Sequence, residues 1–171
     1  EYMQDIPRPS HGDYTGWVKY KGYNDYRGGG YFSGRLTAPM VFAGTVCRQL
    51  LKDKGIYIGS HVKRIGNAED NPFDYVSIER ALLYRLGNME IPVINNEKVD
   101  LMKKEILSAK AEGDSVGGIV ECAVIGLPTG IGEPFFDSVE SRLSHILFSI
   151  PGIKGVEFGS GFNITWMTGS Q

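Results

Sequence analysis

The chain has 171 residues, 42% of them hydrophobic and 22% charged, with a formal charge of -2. That length and apolar content suit one folded domain with a sizeable core and exclude wholesale disorder. The slightly acidic balance argues against a dedicated nucleic-acid binder, which shows a basic excess, and no run of about 18 apolar residues offers a membrane span.

Residues 1–36 carry little helical or strand periodicity and read as an ordered loop with short extended pieces, rich in Gly, Tyr and Arg. Thr37 then opens a helix with Pro39 in its first turn, where a missing N–H does no harm. Met40, Ala43, Cys47 and Leu50 fall at helical spacing, and Gly55 stops the helix. Residues 56–66, IYIGSHVKRIG, alternate and predict a strand. A polar loop over 67–76 leads to a weakly signalled helix around 77–87, then to IPVIN (91–95), a connector or short strand. Glu97 to Ala111 predicts an amphipathic helix with Val99, Met102, Ile106 and Ala109 inward. VGGIVECAVIG (116–126) is nearly all apolar and predicts a strand covered on both faces.

After a turn-rich stretch, Asp137 with Glu140 three residues on has capping-box spacing. The helix it opens has Val139, Leu143, Ile146 and Leu147 on its apolar face and ends at Pro151 and Gly152. IKGVEFG and FNITWM then predict a strand pair. Helices and strands mix without a regular βαβ rhythm, so the fold class expected is α+β with mainly antiparallel sheet. Cys47 and Cys122 lie in apolar runs and form no C-x-x-C pair, so two buried, reduced thiols are expected rather than zinc or a redox dithiol.

The segment from Arg8 to Arg35 concentrates the chemistry. Tyr14, Trp17, Tyr20, Tyr23, Tyr26, Tyr31 and Phe32 could stack bases and Lys19, Lys21, Arg27 and Arg35 could meet phosphates, but Asp13 and Asp25 interrupt that field. Gly28 to Gly30 belong to no Walker or Rossmann loop. They make either a flexible turn or a place where backbone can approach a flat ligand closely. His11 has Arg8 and Asp13 beside it, and an aspartate can orient an imidazole ring. His61 and His145 lack such company and read as structural or solvent-facing. No Ser-His-Asp order, HExxH or paired-carboxylate motif stands out. The residues alone therefore support an anion pocket near Arg8, His11, Arg27 and Arg35.

These segments resemble the chorismate synthase family. RPSHGDYT is similar to the family's R-P-G-H-A-D-Y-T, and DYRGGG and SGRLTA follow, the latter near S-A-R-E-T-A. Much later, EGDSVGGIVECAVIGLPTGIGEPFFDSVESRLSHILFSIPGIKGVEFGSGF resembles G-D-S-x-G-G, G-x-P-x-G-L-G-E-P-x-F-D and S-I-P-A-x-K-G-V-E-x-G-x-G-F. The resemblance covers both ends and skips a variable middle, about 55–95.

It implies helices packed between antiparallel sheets in a β-α-β sandwich, present here in part. The residues 1–171 would form a single core fragment, with 1–36 an active-site loop region and 37–171 a helix and sheet core. It implies a 1,4-anti elimination of phosphate from 5-enolpyruvylshikimate 3-phosphate to chorismate, dependent on reduced FMN, in the shikimate pathway of aromatic amino acid biosynthesis. The parent would be a carbon-oxygen lyase acting on phosphates, a cytoplasmic homotetramer, without nucleic-acid or membrane partners. Reduced flavin would come from the protein's own NADP-linked reductase activity or from a separate flavin reductase.

By position, the resemblance makes His11 the proton-transfer residue and Arg8 and Arg35 the substrate-binding arginines. Tyr31, Phe32 and Ser33, and the turn at Pro151 and Gly152, would contact flavin. Many members have Arg-Ser-Ser at 31–33 and Glu at the place of Leu36. The family's G-E-S-H-G, G-G-I-x-G-G and R-H-D-P segments do not occur in these residues, and the chain begins at Glu1 rather than methionine. The expectation is an internal fragment, inactive alone, with a non-catalytic anion- or flavin-binding remnant of the family as the alternative.

Overall fold

A computed structural model describes residues 2–170. Along the chain run α1 (Asp13–Lys19), α2 (Thr37–Asp53), β1 (Tyr57–Ile65), β2 (Ala68–Glu69), α3 (Arg80–Leu86), α4 (Lys98–Ala111), β3 (Gly118–Ile125) and α5 (Val139–Leu147). Short 3-10 turns occupy Arg27–Phe32, Gly34–Leu36 and Gly161–Trp166. The fold is α+β with antiparallel pairing. The chain divides into two compact units. One comprises the chain up to Val46 with Glu133–Phe158; the other comprises Cys47–Gly132 and the chain from Gly159.

The second unit is built on a three-stranded sheet in the order β2-β1-β3. β1 pairs with β3 from Tyr57 opposite Ile125 to Ile65 opposite Gly118, with an irregularity between Val62 and Arg64. Helices α3 and α4 pack on it. Leu83 and Leu86 of α3 join Phe73 and Ala123 in one core cluster, and Met102 of α4 joins Ala68 and Val93 in another. These are the apolar positions that helical spacing turns toward a sheet.

His61 sits at the centre of this unit and is fully buried. Its Nδ1 lies 3.0 Å from Asp70 Oδ2 and its Nε2 lies 2.8 Å from Glu121 Oε2. The Phe73 ring meets the imidazole edge-on at 4.7 Å. Asp70 also accepts the backbone N–H of Ile94 at 2.5 Å and of Asn95 at 2.9 Å. Glu121 accepts the Phe73 N–H at 2.9 Å and Lys63 Nζ at 3.3 Å. One imidazole thus ties together β1, β3 and two loops. Burial works to raise the Glu121 carboxyl, but hydrogen bonds from His61, the Phe73 N–H and Lys63 outweigh it and hold the group below its ordinary value.

Several sequence expectations are corrected. A helix, α1, lies inside the segment read as loop; Asp13 in its first turn and Lys19 in its last complement the helix dipole. β3 is not covered on both faces: only Ala123 in it is buried, because α3 and α4 pack chiefly against β1 and β2. No residue of α2 or α5 is buried, so their apolar stripes are exposed. Cys47 and Cys122 are both exposed for the same reason. The cap of α5 is Ser138, whose side chain accepts the Ser141 N–H, while Asp137 pairs with Arg142. The strand pair expected near the end is absent among the described residues. Phe162, Ile164 and Trp166 alternate in sequence, but without a neighbouring strand edge the segment forms a 3-10 turn. No helix of the described residues is long and apolar enough to cross a membrane.

His61→Ala should lower unfolding stability by about 3–5 kcal/mol in urea denaturation, since it strands two carboxylates without their partner; a loss below about 1 kcal/mol would contradict this role. Because Glu121 is held below 4.5, its contribution is complete above that pH and disappears as pH falls through the depressed value. The stability gap between the wild type and Glu121→Gln should therefore narrow on acidification below about 4.5.

Candidate functional site

The site is built in the first unit, on the turn from Arg8 to Asp13. The Asp13 carboxylate takes three hydrogen bonds from Arg8: from its backbone N–H at 3.1 Å, Nε at 2.8 Å and Nη2 at 3.0 Å. The side-chain bond from Arg8 is the main reason the Asp13 carboxyl is lowered to about 2. Arg8 also lies over the Tyr2 ring at 5.0 Å. Between them, Ser10 has φ 61, a left-handed conformation that costs a non-glycine residue on the order of 1 kcal/mol. The family pattern carries glycine at this place.

His11 is exposed, and Asp13 does not orient it. Its Nδ1 lies 2.8 Å from the Pro9 carbonyl oxygen. A carbonyl only accepts, so this bond puts a proton on Nδ1 and leaves Nε2 as the nitrogen presented outward.

Gly28, Gly29 and Gly30 have φ of 61, 79 and 50, a succession that side-chain-bearing residues resist. Two guanidinium groups lie alongside the run, at ordinary contact distance from where β-carbons would stand, so positive φ rather than lack of room keeps Gly28 and Gly29 glycine. A β-carbon at Gly29 would stand 3.5 Å from Arg8 Nη2, and one at Gly28 would stand 3.5 Å from Arg35 Nη1. The structure therefore gathers Arg8, Arg35 and Ser33 around the glycine run. Arg27 is committed elsewhere: Asp25 accepts its backbone N–H, Nε and Nη2 at 2.9–3.0 Å. That pairing, through the side-chain bond first, lowers the Asp25 carboxyl to about 2. The Arg35 guanidinium has no hydrogen bond or ion pair among the described residues.

Phe32 is 42% exposed, with part of its ring against α1. A β-carbon at Gly12 would lie 2.7 Å from Phe32 Cβ, and one at Gly16 would lie 2.9 Å from Phe32 Cε2. The ring is packed on α1 across two glycines. The family pattern has alanine at the place of Gly12 and serine at that of Phe32, so these two departures answer one another. Tyr31 is exposed, and the Ser33 hydroxyl accepts the Arg35 backbone N–H. Pro151 and Gly152 form the turn after α5, closed by the Ile153 N–H on the Ile150 carbonyl. Among the described residues they share no hydrogen bond with the Arg8 or glycine segments. A cleft of about 330 Å³ borders Asp13, lined by Ile6, Pro7, Tyr14, Trp17 and Tyr26. No lysine or arginine lines it.

Comparison with known proteins shows the family of the chain. The family model described as chorismate synthase matches residues 1–171. The chorismate synthase of Korarchaeum cryptofilum is 44% identical over 171 residues, covering 100% of this chain and 46% of that protein. That of Pyrococcus abyssi is 43% identical over 172 residues, again covering 46% of that protein. A solved structure titled "Crystal Structure of Chorismate Synthase" superposes with a TM-score of 0.79 at 31% identity, covering 92% of this chain and 51% of that one. The chain thus spans about half the length of the curated relatives it matches.

Gly12→Ala should destabilise the protein by about 1–3 kcal/mol by overpacking against Phe32, and Phe32→Ser in the same chain should recover most of that loss. Thermal unfolding of the two single variants and the double variant reads this coupling; additive losses would contradict the packing assigned to Phe32.

Proposed function

The chain belongs to the chorismate synthase family, and from that premise we propose that its residues serve the elimination of phosphate from 5-enolpyruvylshikimate 3-phosphate, giving chorismate. The parent is then a lyase of the shikimate pathway. The observation that carries the reading is the placement of two guanidinium groups over three side-chain-free residues, with an exposed imidazole on the adjoining turn. The substrate brings a phosphate and two carboxylates. Arg35, with its whole guanidinium uncommitted, is suited to a bidentate anion contact. Arg8 has given its Nε and Nη2 edge to Asp13 and offers the remainder, chiefly Nη1. His11 holds or moves a proton at Nε2.

The residues present also suit a flat ring. The glycine run removes every side chain from one stretch of backbone, and the exposed Tyr31 follows it. Tyr31, Ser33, the Phe32 backbone, and Pro151 with Gly152 would line reduced FMN. When bound, the reduced flavin supplies an electron transiently and recovers it, so the elimination carries no net redox change. The Phe32 ring, held by α1, keeps the segment in place rather than stacking.

Elimination removes a ring proton and releases phosphate, which calls for a base and a leaving-group acid held together. His11 is the one imidazole beside these arginines. Turnover therefore belongs to a family-length protein carrying these residues, and the chain alone is inactive.

An anaerobic assay with chemically reduced FMN and 5-enolpyruvylshikimate 3-phosphate, following chorismate absorbance and released phosphate, tests both statements. A family-length protein carrying these residues should turn over and the chain alone should not. His11→Ala in the former should lower kcat by about 10²–10⁴-fold. Turnover by the chain alone would refute the need for the remainder. A folded family-length protein without turnover or reduced-FMN binding would favour the non-catalytic remnant.

A further inference from the structure

We propose that Asp13 is a positioning residue, whose carboxylate closes the turn from Arg8 and so fixes both the Arg8 guanidinium and the outward Nε2 of His11. This rests on the functional reading above for what the two groups do, but not for how they are held.

Three observations carry it. First, the Asp13 carboxylate takes three bonds from one residue, one of them from backbone. It therefore fixes the path of the chain as well as the side chain. His11 lies inside that closed turn, with its N–H directed at the Arg8 carbonyl and its ring at the Pro9 carbonyl. Second, Asp13 stands in the first turn of α1, and α1 is packed on Phe32 through Gly12 and Gly16. The next residue is Ser33, beside the glycine run that Arg8 Nη2 approaches. The carboxylate thus registers the proton-bearing turn against the anion-binding run. Third, the pair is sheltered. The Arg8 and Asp13 side chains are 33% and 16% exposed, against 72% and 52% for the otherwise similar Arg27 and Asp25. An exposed pair spanning two residues is screened and contributes little; the sheltered pair can order a functional turn.

Asp13 is not a proton shuttle in this arrangement. Both of its oxygens are engaged by Arg8, and no hydrogen bond joins it to His11 among the described residues. It acts through its neighbours.

The test is a double-mutant cycle of Arg8→Ala and Asp13→Ala in a family-length protein carrying these residues. The readouts are KM and kcat for 5-enolpyruvylshikimate 3-phosphate, calorimetric Kd for the same compound, and solvent exchange of the Arg8 Nε–H by NMR. Asp13→Ala should raise KM and Kd about 10-fold or more when Arg8 is present, and less than about 2-fold when it is absent. The Arg8 Nε–H should exchange slowly in the wild type and fast in Asp13→Ala. Asp13→Glu should recover part of the affinity. Equal effects of Asp13→Ala in both backgrounds would reduce Asp13 to a general stability role and overturn the proposal, as would an Arg8 Nε–H that exchanges alike in both proteins. If the wild type neither binds nor turns over the substrate, the functional reading fails, and the exchange measurement alone upholds or overturns the positioning.

Discussion

A charge withdrawn from water must be met by an opposite charge or by donors aimed at it, and that constraint organises the sheet-bearing unit and the sheltered Arg8–Asp13 turn of this chain. In the unit containing the sheet, His61 lies between Asp70 and Glu121, and the same carboxylates collect backbone N–H groups from the loops at Phe73 and at Ile94 and Asn95. No buried side-chain polar atom among the described residues lacks a partner. In the other unit Asp13 answers Arg8, and Asp25 answers Arg27. Against that background Arg35 differs: its exposed guanidinium makes no hydrogen bond or ion pair among the described residues, although the Asp25 charge acts on it at longer range.

The backbone supplies the complementary constraint. Three consecutive positive φ values are resisted by side-chain-bearing residues, so the run at Gly28 to Gly30 favours glycine, and the Arg8 and Arg35 guanidinium groups lie alongside it. A few residues on, the chain uses glycine differently. Gly12 and Gly16 make room for the Phe32 ring, which locks α1 against the segment leaving the glycine run. The exchange of a polar residue for Phe32, which on sequence alone looks like an altered flavin contact, is thereby accounted for as packing, with Gly12 as its counterpart. Ser10 is the opposite case, a side-chain-bearing residue in a left-handed turn where the family pattern has glycine; the three hydrogen bonds from Arg8 to Asp13 close that turn around it.

Much of this was legible in the amino-acid sequence. The periodicities over 37–54, 56–66 and 97–111 correspond to α2, β1 and α4 within a residue or two, because a strong apolar repeat carries the period of its helix or strand. Weak repeats failed. α1 is only two turns long, has Gly16 inside it, and exposes Tyr14 and Trp17, so nothing in its pattern marks a buried stripe. The exposure of β3, Cys47 and Cys122 was illegible because an apolar run records a need for cover, not which part of a fold provides it. His61 was equally hidden: its partners lie nine and sixty residues away, and no local spacing announces them. At the site, the motifs identified Arg8, His11, Arg35 and the glycines, but the left-handed turn at Ser10 decides which residue Asp13 meets. Sequence proximity suggested His11; the turn delivers Arg8.

On the proposed function, the Arg35 guanidinium would receive an anionic group of the substrate. The most direct test is calorimetric titration of 5-enolpyruvylshikimate 3-phosphate into a family-length protein carrying these residues, alongside its Arg35→Ala and Arg27→Ala variants. Loss of a charge-assisted contact at Arg35 should weaken binding by about 10-fold to 100-fold. Arg27, already committed to Asp25 on an exposed turn, should matter by less than about 2-fold. Equal affinity in the wild type and the Arg35→Ala variant, or a larger loss at Arg27, would contradict the account.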